Sequence, residues 1–238
     1  MPSSPEPGLA SNLQSVRSRI DAAARHAGRD PAGVRLIAVS KTFGADAVRA
    51  VWAAGHRDFG ENKVQEALQK IQETADMEIR WHLIGHLQSN KAKKAAGAFA
   101  CIQSMDSIDL LQRVDAAAVE QGTSPEVLVQ VDLAGEATKF GADVSGARRL
   151  LDRALDARAA RVTGLMLIPP WNEDQEQTRP WFVRLRELRD RWLADGVPAA
   201  ALRHLSMGMS HDFEAAIEEG ATIVRVGTAI FGKRTVRT

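Results

Sequence analysis

Apolar residues in this chain fall in short blocks, separated by longer stretches whose apolar positions recur every three or four residues. The blocks lie at about 34–40, 56–60, 80–85, 99–104, 125–132, 161–168, 201–206 and 222–226. The helically spaced stretches lie at about 44–54, 62–75, 89–97, 107–121, 143–158, 174–194 and 210–219. The first block, Val34 to Ser40, is apolar on both faces, as a parallel strand buried between two layers requires. Leu9 to Ala27 adds an amphipathic helix in front, ended by Gly28. Strands alternating with helices predict βαβ units and a parallel sheet with right-handed crossovers. Eight strands with seven helices between them fit an α/β fold, a single (β/α)8 TIM barrel with an extra N-terminal helix. An open doubly wound sheet is the competing arrangement, but no Gly-x-Gly-x-x-Gly follows the first strand. Residues 1–8 read as a frayed tail and 9–238 as one domain, since no proline- or glycine-rich linker divides them.

Composition narrows the function classes. The chain has 238 residues, 45% of them hydrophobic and 26% charged, which suits an ordinary globular protein with one full core. Thirty-one basic residues face 30 acidic ones, so no global field recruits nucleic acid or an anionic membrane. One cysteine, Cys101, excludes a disulfide framework or a cysteine metal cluster. No apolar run has the length to cross a bilayer, and the first residues lack the pattern of a signal peptide, so a cytoplasmic protein is expected. There is no tyrosine, which removes any mechanism needing a phenol from this chain.

In a barrel, chemistry sits at the carboxyl ends of the strands. The first strand ends at Lys41. A lysine there has its ammonium partly desolvated, which lowers its pKa and prepares it for Schiff-base chemistry. Alone, it would more often be a strand-end lysine that snorkels to solvent. The last two loops change that balance. Ser206-Met207-Gly208-Met209-Ser210 runs into a helix, with Ser210 expected at the cap, and Gly227-Thr228 opens onto a final turn. Helix starts offer N–H groups and a positive dipole end, and glycines let backbone approach an anion. Loops after the seventh and eighth strands are the usual phosphate corner of such barrels. Arg225 lies within the last strand on the same face as Ile223, with Val224 and Val226 on the other. It is either half of a core ion pair or an inward cation reaching a ligand.

A Schiff-base lysine, a phosphate cup and an arginine are the parts needed to hold pyridoxal phosphate on a barrel. Several segments resemble the pyridoxal phosphate homeostasis protein family: Ala38-Val39-Ser40-Lys41-Thr42, Phe59-Gly60-Glu61-Asn62 with Val64-Gln65-Glu66, Trp81 to Lys91, Gly164-Leu165-Met166, Ser206 to Ser210, and Ala216 to Gly232. Glu136, Lys139 and Gly141 fit the same pattern. The similarity spans roughly residues 10 to 233 in order. It implies a barrel like the amino-terminal domain of alanine racemase, with pyridoxal 5'-phosphate held as an aldimine on Lys41. It further implies that Asn62 lies beside the ring and Arg225 faces the pyridine nitrogen. Ser206, Met209, Ser210, Gly227 and Thr228 then complete the cofactor-binding set. The implied role is storage, buffering or delivery of the cofactor, with apo-enzymes as candidate partners and a monomer or weak homodimer as the expected state. Lys63 departs from the family, many members of which carry tyrosine there.

Weak catalysis is expected. The resembled racemases use a tyrosine from another domain as second base, and a cation at the pyridine nitrogen disfavours its protonation and weakens the electron sink. Cys101 reads as buried packing rather than as a base. No residue is assigned a catalytic role, although a racemase-like or aldolase-like enzyme would share the barrel and Lys41. His82 and His86 lack the glutamate of a helical zinc motif, and no metal is expected. Lys91, Lys93 and Lys94 read as a solvated helix start, since no aromatics interleave. Trp171, Trp181 and Trp192 read as anchors for a helix packed on the barrel.

Overall fold

The computed structural model describes residues 8–135 and 140–232. The frayed tail expected over residues 1–8, apart from Gly8, lies outside these residues, as do Glu136 and Lys139. The chain begins with α1 (Leu9–His26) and then alternates: β1 (Arg35–Val39), α2 (Ala45–Ala53), β2 (Asp58–Glu61), α3 (Val64–Glu73), β3 (Arg80–Leu83), α4 (Ala92–Ala98), β4 (Cys101–Met105) and α5 (Ile108–Gln121). It continues with β5 (Glu126–Gln130), α6 (Val144–Leu155), β6 (Arg161–Met166), α7 (Arg179–Ala194), β7 (His204–Met209), α8 (Phe213–Glu218), β8 (Ile223–Val226) and α9 (Thr228–Phe231). All neighbouring strands pair in parallel, and β1 pairs with β8, with Ile37 opposite Arg225, to close the barrel. The (β/α)8 expectation is met.

The core has two layers, as this architecture requires. Outward-facing strand residues such as Ala38, Val224 and Val226 pack under the helix ring. Inside the barrel, Ile37, Cys101, Leu128, Met166 and Ile223 form a separate cluster. Helix boundaries follow local chemistry. Ser107 Oγ accepts from Leu110 N at the start of α5, and Gly122 ends that helix at φ +65°. Asp143 caps α6 in the same way, and Pro180 stands in the first turn of α7. Among the described residues, only the four-residue α9 follows β8. The N-terminal α1 fills the resulting gap in the ring, packing on α2, α8 and α9, with Asn12 Nδ2 donating to Ile230 O.

One strand differs from the sequence reading. The seventh was expected over 201–206 but runs from His204 to Met209, because Ala199–Leu202 winds into a 3-10 turn behind Pro198. Gly208 therefore lies in a strand at φ +91°, where the register against β8 shifts. A Cβ there would sit 2.6 Å from Ala216 Cβ. Only glycine fits both the conformation and the space.

Candidate cofactor site

The carboxyl ends of the strands surround a cavity of about 580 Å3. Lys41, Asn62, Met209, Ser210, Arg225, Gly227 and Thr228 all line it, so four strand ends bring most of the expected site together, joined from three others by Ile84, Gly85, His86, Gln130 and Ile168. Ser206 is the exception. It is fully buried behind the wall, where its Oγ accepts from Arg225 Nη1 at 2.7 Å.

Lys41 is half-buried, and its two chain neighbours are fixed by a buried ionic cluster. Lys70 Nζ, only 5% exposed as a residue, donates to Ser40 O (2.8 Å), Glu61 Oε1 (2.7 Å) and Glu66 Oε1 (3.0 Å). Ser40 Oγ donates to the same Glu61 oxygen at 2.6 Å, and Thr42 N donates to Glu66 Oε1 at 2.6 Å. Thr42 is held at φ +72°, a conformation that costs a non-glycine residue roughly 1–2 kcal/mol. The cluster supports that turn and so fixes the direction in which Lys41 leaves the strand. Burial raises the Glu61 pKa, with Lys70 and Ser40 opposing. Next to this turn, Gly85 permits close approach of two loops: a Cβ would lie 2.3 Å from Asn62 O.

Arg225 is 4% exposed, and no ion pair joins it to a carboxylate among the described residues. Its Nη2 donates to Leu167 O at 2.9 Å. A direct core ion pair is therefore absent, and a buried guanidinium held by hydrogen bonds, with Asp212 acting on it only at a distance, faces the cavity. Burial lowers its pKa to about 10, with Asp212 working in the other direction, so it stays a cation at neutral pH.

The expected cap role of Ser210 is corrected. The residue preceding α8 is Asp212, whose Oδ1 accepts from Met209 N at 2.6 Å. Ser210 Oγ instead accepts from Gly227 N (3.1 Å) and Ala229 N (3.4 Å), which ties the loop after β7 to the start of α9. With those donors on its lone pairs, the hydroxyl proton is available to an anion in the cavity.

Among the cavity residues not singled out for the site by sequence are the aromatic rings of Trp171, Phe140 and His86. Trp171, read as a helix anchor, is 73% exposed and lines the mouth. Trp192 is buried as expected, and Trp181 packs partly buried on the core. Phe140 stacks on His86 with ring centroids 3.7 Å apart, its carbonyl held by Gln130 Nε2 at 2.6 Å. His86 Nδ1 lies 3.2 Å from Asp106 Oδ2. Cys101 is buried inside the barrel, where burial pushes its thiol above the ordinary range, so it is no base for this site.

A closed parallel barrel with a lysine at the end of its first strand and hydrogen-bonded loops after its last two defines a class. It is the family described as alanine racemase, N-terminal domain, whose model matches residues 11–235. Over 230 residues the chain is 46% identical to the pyridoxal phosphate homeostasis protein of Pseudomonas aeruginosa, covering 95% of this chain and 96% of that one. It is 42% identical over 222 residues to the protein of the same name from Aquifex aeolicus, covering 93% and 96%. The chain belongs to this family, among its pyridoxal phosphate homeostasis proteins. The solved structure of PipY from Synechococcus elongatus PCC7942 with PLP bound superposes with a TM-score of 0.83 at 41% identity, over 94% of this chain and 100% of that one. Alanine racemase from Streptomyces coelicolor shares the fold, with a TM-score of 0.68 at 21% identity over 59% of its length.

Proposed function

We propose that this chain binds pyridoxal 5'-phosphate through Lys41 and holds it in exchangeable form, for storage, buffering or delivery, without substantial turnover. The observation that carries this reading is the cavity itself, where Lys41, a buried Arg225 with no direct carboxylate partner and the paired loops at Ser210 and Thr228 converge. Residues 9–238 then act as one cofactor-binding domain. Lys41 Nζ forms the Schiff base and Asn62 flanks the ring. Arg225 faces the pyridine nitrogen, with Ser206 supporting it from behind. Met209, Ser210, Gly227 and Thr228 hold the phosphate. Bound in this way, the cofactor supplies an electrophilic carbon that amines can reach.

Two features argue against efficient catalysis. A cation rather than a carboxylate stands at the pyridine position, so the ring nitrogen stays unprotonated and withdraws electrons poorly. The chain also has no tyrosine to act as second base. We place the protein in the cytoplasm, as a monomer or weak homodimer serving apo-enzymes. Its buried, unpaired Cys101 suits a reducing compartment, and no helix among the described residues is long and apolar enough to cross a membrane.

The test is the visible spectrum of purified protein incubated with pyridoxal phosphate, followed by borohydride reduction and peptide mapping. A yellow band with the adduct on Lys41 is expected; an adduct on Lys63 or Lys91, or no band, overturns the assignment. One observation favours a second reading, a racemase-like enzyme: His86, oriented by Asp106, lines the same cavity and could move a proton. Rapid exchange of the alanine α-hydrogen in deuterated water, lost in both Lys41→Ala and His86→Gln, would promote that reading. Arg225→Glu should increase slow side reactions such as transamination.

A further inference from the structure

Arg225 is the first member of a buried hydrogen-bonded chain that crosses the barrel interior. Ser206 Oγ donates to Gln103 Oε1 at 2.6 Å, and Gln103 Nε2 lies 3.4 Å from His82 Nδ1. His82 Nε2 lies 3.0 Å from Asp58 Oδ1, and Arg80 Nη2 donates to Asp58 Oδ2 at 2.6 Å. Ser206, Gln103, His82 and Asp58 are all buried. Asp58 and Arg80 open β2 and β3, so the chain runs from the cavity wall to the opposite face of the barrel.

The direction of every bond follows from its far end. Burial alone would raise the Asp58 pKa, but the hydrogen bonds from His82 and Arg80 win and hold it at about 2, leaving an acceptor-only carboxylate. His82 Nε2 must then carry a proton. Desolvation lowers the His82 pKa, so the ring is neutral and Nδ1 is bare. A bare Nδ1 turns the Gln103 NH2 toward itself, which points Oε1 at Ser206. The Ser206 proton goes to that oxygen, and its lone pair is left to Arg225. The opposite amide orientation would put two donors on Ser206 Oγ and deprive its proton of the carbonyl that now takes it.

We propose that Gln103 is a positioning residue of the cofactor site, transmitting the fixed polarity of the Asp58–His82 pair to Ser206 and so holding Arg225 in its place on the cavity wall. Gln103 and His82 touch no cavity atom, yet they decide how rigidly a donor is presented to the ring nitrogen. The inference rests on the proposed binding of pyridoxal phosphate for its consequence, but the direction of the chain is a property of the cofactor-free protein.

The experiment has two arms. In 15N-labelled, cofactor-free protein, NMR of the His82 ring should show a protonated Nε2 and a bare Nδ1; a proton on Nδ1 reverses the chain and overturns the proposal. In the second arm, pyridoxal phosphate is titrated into Gln103→Leu and Gln103→Glu. Leucine removes the acceptor of the Ser206 proton, so the dissociation constant should rise about tenfold and the visible maximum should shift. Glutamate keeps that acceptor and draws a proton onto His82 Nδ1, so affinity should stay within about threefold of the unmodified protein. A purely structural role would lower the melting temperature of both variants and leave the visible maximum unmoved. An unchanged maximum and affinity in Gln103→Leu overturn the proposal, and Ser206→Ala makes the same cut if that variant does not fold. Absence of a visible band in the unmodified protein would instead defeat the assigned cofactor, while the NMR arm still decides the direction of the chain.

Discussion

The two ends of the barrel use similar residues to opposite ends. At the amino-terminal face, charges are matched: Arg80 pairs with Asp58, and Arg35 and Arg203 flank Glu126. Asp115 there takes the backbone N–H groups of Arg158, Ala159 and Ala160, closing the turn into β6. At the carboxyl-terminal face, Arg225 is buried without a carboxylate in direct contact, and Ser210 spends its lone pairs on N–H groups while keeping a proton to give. One face has satisfied its polar groups internally and contributes stability. The other holds polar capacity in reserve, supported by a rigid frame, and that reserve is what a ligand can use.

This contrast predicts variants whose effects separate cleanly. Lys41→Ala should remove the visible absorbance of the bound cofactor entirely, while the cofactor-free protein melts at an unchanged temperature. A second adduct site after borohydride reduction would show that the mouth is less specialised than the comparison holds. Ser210→Ala combined with Thr228→Val should weaken cofactor retention by about 3 kcal/mol, roughly a hundredfold, since in the proposed site each hydroxyl would donate to a charged phosphate. Equilibrium dialysis measures this, and unchanged affinity would put the phosphate elsewhere.

The floor should be the acid-sensitive end. Burial holds His56 neutral down to about 4, against an ordinary value of 6.5. Between those values the unfolded chain binds a proton that the folded protein refuses, so stability is complete above about 6.5 and falls as pH drops toward 4. The loss should reach about 2–3 kcal/mol by chemical denaturation, and His56→Phe should flatten the profile. His204, lowered to about 4 by burial and by Arg203, adds in the same direction. Smallest is Asp115→Ala, which should cost about 1–2 kcal/mol of stability without altering cofactor affinity. A change in affinity there would mean that the two faces are coupled through more than the central chain.

What could be read from sequence divides along the same line. The alternation of strands and helices gave the barrel, because buried parallel strands leave long apolar blocks and outer helices keep their period. Lys41, Arg225 and the glycine-containing loops were legible because each breaks its local pattern. Strand β7 was misplaced because Ala199–Leu202 is apolar enough to imitate a strand, and Gly208 imitates a loop. Lys70 escaped notice because an amphipathic helix normally turns lysine outward; its spacing of four from Glu66 was the available signal. His82 and Gln103 occupy inward strand positions, and polar residues in otherwise apolar runs could have marked them. Trp171, Phe140 and His86 converge only through loop geometry, which no periodicity encodes.

The pairing of β1 with β8 carries a consequence for biosynthesis. Lys41 emerges from the ribosome early, but the cup that would hold the phosphate ends at Thr228, nearly the whole chain later. Closure must bridge that separation, a large loop entropy released in one final step. A nascent chain therefore carries Lys41 long before the proposed site can form. Cofactor capture becomes a report that translation has passed the last strand and that the cylinder has shut, and excess cofactor favours the shut form by mass action.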